Sequence, residues 1–238
     1  MQAMIFCAGL GTRFKPWTDN HPKALAMING KSLLQRNVEY LQAYGITDVI
    51  VNVHHFADQI IESIEKNKGW GSNIIISDET DAVLETGGGL LKAQSLFTSG
   101  EKFITLNADV LTDLNLHRLL AYHDEEKPIA TIAVGNRITT RNLLFDKINR
   151  LCGWRNNATG EEKISVPMSN YAAKSYDCVA VFEYEIFDLI YFDGKFSLID
   201  VYLDVARSHT ILGYTHENDR WLDVGKPESV AIAEAMFS

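Results

Sequence analysis

Near-continuous apolar runs alternate with helix-patterned segments along the first 134 residues, and three chemically distinctive loops each follow the carboxyl end of a run. Together these predict an α/β fold, a Rossmann-like mixed and mostly parallel sheet with helices on both faces. A strand buried on both faces is apolar throughout, and parallel neighbours need helical crossovers between them. The chain of 238 residues suits one sizeable domain (residues 1–238) rather than two.

Taken in order, residues 3–8 (AMIFCA) form the first strand, followed by a loop with Gly9 and Gly11. Residues 27–30 (MING) read as a short strand and turn. Ser32 can cap a helix whose apolar face is Leu33, Leu34, Val38 and Leu41, ending at Gly45. The second strand is 48–53 (DVIVNV), and the helix over 57–65 turns Ile60, Ile61 and Ile64 inward. A third strand at 73–77 (NIIIS) precedes LETGGG (84–89) and a helix running to Leu96. The fourth strand, 102–106, delivers Asn107-Ala108-Asp109. A helix over 114–123 and a fifth strand over 129–134 complete the alternation.

Beyond residue 135 the pattern loosens. Residues 143–148 and 150–154 read as a hairpin, 156–160 as a turn, and 176–184 as a strand. Helices are expected over 185–191, 197–208 and 227–236, with strands at 210–214 and near Trp221.

Composition narrows the function. A net charge of −9 argues against general nucleic-acid binding, so cations for any phosphate ligand must be concentrated locally or recruited as a metal. Cys7, Cys152 and Cys178 are scattered without metal spacing, which reads as reduced thiols in a cytoplasmic protein. Neither a signal peptide nor a run of the ~20 apolar residues needed to span a bilayer is evident, so no membrane partner is expected.

Ligands in open parallel sheets bind beyond the carboxyl ends of the strands, where the loops at Gly9, Gly87 and Asp109 all lie. Glycine lets backbone N–H groups approach a phosphate, and Arg13 and Lys23 add charge to the first loop. This is equipment for a nucleoside triphosphate. It is not the dinucleotide fingerprint, because Phe14 stands where the third glycine belongs, and no Gly-Lys-Ser/Thr follows at P-loop spacing. Asp109 and Asp223 can supply the carboxylates that Mg²⁺ takes alongside phosphate oxygens, or each can simply cap the helix after it. Thr86 can likewise cap the helix after LETGGG, whose N-terminus attracts anions. His54 and His55, adjacent in an extended segment, point to opposite faces and read as structural. Trp154, Tyr176 and Trp221 read as core.

The loop GLGTRFKPWTDNHPKAL (9–25), LETGGG, NAD at 107–109 and WLDVGKPE at 221–228 resemble, in order and spacing, the signature blocks of the sugar-1-phosphate nucleotidyltransferases (NDP-sugar pyrophosphorylases). The chain is similar in particular to short bacterial N-acetylmuramate-1-phosphate uridylyltransferases and mannose- or heptose-1-phosphate guanylyltransferases. The resemblance implies the nucleotide-diphospho-sugar transferase fold without the C-terminal β-helix of longer relatives. It implies transfer from an NTP, UTP or GTP, to a sugar 1-phosphate, with residues 1–134 serving the nucleotide and 135–238 the sugar phosphate. Ala8, Gly9, Leu10, Gly11 and Thr12 would cradle the nucleotide. Arg13 would hold the β- and γ-phosphates, and Lys23 would neutralise the α-phosphate and the incoming sugar phosphate. Asp109 and Asp223 would hold Mg²⁺, while Glu85, Thr86, Gly87, Gly88, Asn107 and Asp177 would face the sugar or base.

Three departures stand out. Ala24 replaces the second proline of P-K-P-L. Ala108 replaces the glycine of N-G-D, which requires a negative φ there. The middle region reads CGWRNN (152–157) and YDCVAV (176–181), so the lysine that relatives direct at the sugar phosphate has no clear counterpart, and Cys178 stands where relatives carry glycine. A non-catalytic nucleotide-sugar sensor and a cytidylyltransferase for a phosphorylated alcohol are the rival readings.

Overall fold

The apolar runs pair side by side in the computed structural model, which describes residues 1–216 and 219–238. In chain order the elements are β1 (Gln2–Phe6), β2 (Met27–Ile28), β3 (Lys31–Ser32), α1 (Leu33–Gln42), β4 (Asp48–Val53), α2 (Ala57–Lys66) and β5 (Asn73–Asp78). There follow α3 (Glu85–Lys92), β6 (Phe103–Asn107), β7 (Val110–Thr112), α4 (Leu116–Glu126), β8 (Ala130–Gly135), β9 (Arg141–Phe145) and β10 (Leu151–Asn156). The last are β11 (Glu162–Ile164), β12 (Ala172–Phe182), α5 (Leu198–Val205), β13 (Ile211–Thr215), β14 (Trp221–Asp223) and α6 (Ser229–Met236).

β1 lies between β4 and β6, parallel to both, with Ile5 opposite Val51 and Leu106, and β5 extends the parallel set beyond β4. β12 then runs antiparallel to β6 along one edge and to β8 along the other, and β13 joins β8 in parallel. The first residues of β12 pair with β9, which leads into the antiparallel β10 and β11. Consecutive strand residues divide between two cores. Met4 and Phe103 enter one with Leu90 of α3 and Val201 of α5, while Ile5 and Ile104 enter the other with Val38 of α1, Ile60 of α2 and Leu119 of α4. This is the two-faced burial that continuous apolar strands require. A third, smaller cluster gathers Phe14, Ile28, Leu111, Val224 and Ala233, clamping α6 and β14 against the first loop.

Several boundaries depart from the sequence pattern. β1 stops at Phe6 because the Cys7 amide donates to the Asn52 side chain (2.7 Å) rather than into the ladder. The segment expected to be helical over 185–191 is a 3₁₀ turn over Tyr184–Leu189, and the following helix is confined to α5. β11, three exposed residues paired to β10, has no apolar pattern to announce it. Ser32 does cap α1, its hydroxyl accepting the Gln35 amide at 3.1 Å.

Phe103 sits among Phe97, Phe182 and Phe187, with ring centroids 4.2, 5.3 and 5.4 Å away. Phe103→Ala removes a fully buried ring from the middle of this group and is expected to cost ~3–5 kcal/mol. Urea denaturation measures it, and a loss under about 1 kcal/mol would show that the cluster does not anchor this face.

Candidate active site

The loop after β1 is built around Gly11, whose φ of 60° is left-handed; a Cβ there would lie 2.8 Å from Thr18 Cγ2. Its carbonyl accepts the Phe14 amide (2.8 Å) and the Thr18 hydroxyl (2.9 Å), which closes the turn over Thr12–Phe14. Phe14 is buried in the third cluster and so pins the turn, leaving Arg13 beside it largely exposed. Nothing lies within 4 Å of where a Gly9 Cβ would be, so that backbone borders open space. Of the two glycines, Gly11 is demanded by the chain and Gly9 leaves room for a ligand.

Four charged groups then converge. Lys23, only 11% exposed, donates to Asp109 Oδ2 at 2.6 Å and lies 4.0 Å from Asp223 Oδ1, while Arg13 Nη2 lies 3.7 Å from Asp223 Oδ2. The aspartates, 114 residues apart in sequence, meet because β7 and β14 form a two-stranded antiparallel ribbon with Asp223 opposite Val110, and the Val224 amide donates to the Asp109 carbonyl (2.8 Å). Burial, and next the nearby Asp109 carboxylate, push the Asp223 carboxyl above its ordinary range, against the pull of Lys23, Arg13 and Arg137. Asp223 Oδ1 is buried without a hydrogen-bond partner among the described residues. A lone carboxylate oxygen beside a second carboxylate is a hard-oxygen donor set that suits Mg²⁺, whose other positions go to phosphate and water. Among the described residues no group of three or more His, Cys, Asp or Glu could hold a metal, so any ion here relies on these two and on substrate.

Three pockets join into one cleft along the carboxyl ends of the strands. The first, about 420 Å³, is lined by Ala8 to Thr12, Glu85 and Thr86, and also by Asn52 and Glu79. Glu79 is wholly buried; one oxygen accepts the Asn52 amide (2.7 Å), the other has no partner among the described residues, and burial raises its carboxyl pKa. The middle pocket, about 220 Å³, brings together Gly9, Gly11, Thr12, Arg13, Lys23, Asn107 and Asp109. The third, about 340 Å³, shares Arg13, Asn107 and Asp109 with the middle one and adds Asp223, Arg137, Arg141 and Trp221.

The structure therefore gathers the first-loop residues, both aspartates, Asn107, Glu85 and Thr86 around one cleft, and leaves three expected residues outside it. Gly87 and Gly88 pack against the 194–196 segment: both amides donate to the Phe196 carbonyl (3.0 and 3.2 Å), and a Gly88 Cβ would lie 2.4 Å from the Gly194 carbonyl. Asp177 is 2% exposed, with its oxygens engaged by Arg137, Ser175 and His216, so it backs the pocket wall instead of facing a sugar. Thr86 does not cap its own helix, which starts after Leu84; its hydroxyl accepts the Leu198 amide (3.0 Å) at the start of α5.

The departures also resolve. Ala24 is buried in the second core, and Ala108 is not among the positive-φ residues, which satisfies the condition set on it. Cys178 has φ 60°, inside a register break between Tyr176 and Ala180 of β12, so the position keeps the conformation a glycine would take. Trp154 and Tyr176 pack against the core that holds Met4 and Phe103, as expected, and together with Trp221, also read as core, they line the third pocket. His54 Nδ1 lies 2.6 Å from the Glu79 carbonyl and His55 packs on Phe56, a structural role for both. Arg137, Arg141, Glu79 and Asn52 escaped notice. Arg137 had a signal, since it follows the carboxyl end of the fifth strand, where ligand loops occur.

Gly88→Ala drives a methyl into a backbone carbonyl, a clash that costs ~1–3 kcal/mol of stability. Thermal or urea unfolding reads it, and a variant as stable as the wild type would contradict the packing role.

The nucleotidyl transferase family model matches residues 2–237. The N-acetylmuramate alpha-1-phosphate uridylyltransferase of Caulobacter vibrioides is 30% identical over 249 aligned positions, covering 99% of this chain and 96% of that protein. A mannose-1-phosphate guanyltransferase of Yarrowia lipolytica is 25% identical, covering 100% of this chain and 64% of its own. Among solved structures, HddC from Yersinia pseudotuberculosis complexed with GMP-PN superposes with a TM-score of 0.78 at 22% identity, covering 100% of this chain and 99% of that one. At that identity the match establishes the mixed α/β fold alone.

Proposed function

This chain belongs to the nucleotidyl transferase family, and on that premise we propose that it transfers the nucleoside monophosphate unit of an NTP to a sugar 1-phosphate, yielding an NDP-sugar and pyrophosphate. The observation that carries the reading is the convergence of Arg13, Lys23, Asp109 and Asp223 where one pocket passes into the next. UTP is the favoured donor by likeness to the Caulobacter uridylyltransferase, with GTP the alternative by likeness to the guanyltransferase. Residues 1–134 serve the nucleotide and 135–238 chiefly the acceptor.

In the transfer an oxygen of the sugar phosphate bonds to the α-phosphorus as the bond to the β-phosphate oxygen breaks, so the leaving group departs as pyrophosphate. No covalent enzyme intermediate is needed, and catalysis consists of positioning and charge neutralisation. The Gly9–Thr12 backbone borders the triphosphate. Arg13, at the mouth, holds the β- and γ-phosphates and stabilises the departing pyrophosphate. Lys23 sits where the α-phosphate and incoming phosphate meet. Asp109 and Asp223 would hold Mg²⁺, which neutralises charge on the reacting phosphates when bound. Glu79, at the inner wall of the first pocket, offers its free oxygen to a base edge.

No helix among the described residues is long and apolar enough to cross a membrane. The three free cysteines support a reducing, cytoplasmic setting. The partners are the NTP and the sugar 1-phosphate.

Pyrophosphate release across the four NTPs, against N-acetylmuramate, mannose and glucose 1-phosphates with Mg²⁺, tests the reaction; silence from every pair would sink it. Asp223→Asn, which removes a carboxylate with an unpartnered oxygen, is expected to lower turnover by on the order of 10²-fold in a folded protein. Near-normal activity at saturating Mg²⁺ would take Asp223 out of the metal site. Arg13→Ala forfeits a charge-assisted hydrogen bond of ~1.5–3 kcal/mol, hence at least ~10-fold in kcat/KM. An unchanged kcat/KM would remove Arg13 from the mechanism.

A further inference from the structure

We infer that Arg137 receives the phosphate of the acceptor sugar 1-phosphate, an assignment that rests on the transfer reading above. The third pocket needs a fixed cation on the side away from Lys23. Without one, an incoming phosphate dianion would meet Asp109 and Asp223 with Arg13 committed to the donor and Lys23 shared between the two phosphates. CGWRNN (152–157) and YDCVAV (176–181), the strand segments that line this pocket through Trp154, Tyr176 and Cys178, carry no lysine. Arg137 lines this pocket together with both aspartates.

Its guanidinium is held as a tool, not left as a loose surface charge. Nε donates to Asp177 Oδ1 at 3.1 Å, and Nη2 donates to the same oxygen and to the Tyr176 carbonyl at 3.0 Å. The plane lies on Trp221, with Cζ 3.2 Å from the ring centroid, and Trp221 is fixed in turn by its Nε1–H on the Asp177 carbonyl at 2.8 Å. Asp177 is braced on its other oxygen by His216 Nε2 at 2.7 Å. Both ends of residue 177 thus position the arginine: the carboxylate directly, the carbonyl through the indole. The bulge at Cys178 is what allows this, because the register break at Tyr176–Ala180 turns the Tyr176 carbonyl and the Asp177 side chain towards Arg137.

Three of the five guanidinium N–H groups have their acceptors on these residues. Nη1 has no protein acceptor among the described residues, which leaves it for an anion in the pocket. A planar, pre-oriented fork suits a phosphate oxygen better than a mobile ammonium does. Arg141 lines the same pocket, but it is exposed and no side-chain acceptor orients it among the described residues. Arg137 is therefore the specific receptor, and Asp177 is a positioning residue.

The test is calorimetric titration of the wild type, R137M, R137K and R141M with UTP, N-acetylmuramate 1-phosphate and mannose 1-phosphate. R137M is expected to lose at least tenfold in affinity for whichever sugar 1-phosphate the wild type binds, with UTP affinity changed by no more than about twofold. R137K should recover part of that loss, and R141M should lose less than R137M. A merely structural Arg137 would lower the melting temperature while leaving the ratio of sugar-phosphate to UTP affinity unchanged, and that result overturns the assignment. So does a wild type that binds neither sugar phosphate, or an R141M loss equal to that of R137M. Arg137-dependent binding without pyrophosphate release from any NTP would refute the transfer reading while upholding the receptor.

Discussion

The site depends on one electrostatic conflict: Asp223 is half-buried beside the Asp109 carboxylate, which disfavours its charge, and a single lysine stands between the two. Such a cluster is unfavourable by itself and persists only because the surrounding packing enforces it. The β7–β14 ribbon and the third hydrophobic cluster do the enforcing, fixing the backbone of both aspartates without help from their side chains. In the proposed reaction, substrate and a cation would relieve the conflict by bringing the missing charges. This also reconciles an acidic chain with polyphosphate chemistry: its net charge of −9 counts for less than the local arrangement of Arg13, Lys23 and the two carboxylates.

The parallel half of the fold was legible because its central strands β1, β4 and β6 are buried on both faces and so carry continuous apolar runs. β4 matches its sequence pattern residue for residue. The second half hid its structure for the opposite reason. β11 is exposed, β12 changes partners along its length, and a bulge interrupts its alternation, so period-two reasoning has little to grip. Site residues on loops after strands could be found from chemistry. Glu79 and Asn52 could not, since their importance comes from burial beside a pocket.

The glycine-rich segment shows how a motif can be right about place and differ in cause. The LETGGG segment does border the cleft through Glu85 and Thr86, but Gly87 and Gly88 are needed for close approach of α3 to the 194–196 segment, and Gly89 for its approach to Glu79 and Asn52. Through that contact, and through the Thr86 hydroxyl on α5, the pocket wall beside Ala8 to Thr12 is joined to a helix from the second half of the chain. The two halves share one sheet and one wall.

The ribbon that unites the aspartates has a consequence for how the protein is made. Asp223 is synthesised 116 residues after Asn107, whereas the sheet around β1, β4, β5 and β6 is complete from the first 107 residues. Synthesis runs from the N-terminus, so the residues of this sheet are available before those of β14. The nascent chain thus carries the glycine loop, Lys23 and Asp109 well before the second carboxylate arrives, and Lys23 has Asp109 as its early partner. The complete charge set is assembled last, so an unfinished chain can be shaped to receive a nucleotide without yet being equipped to spend it.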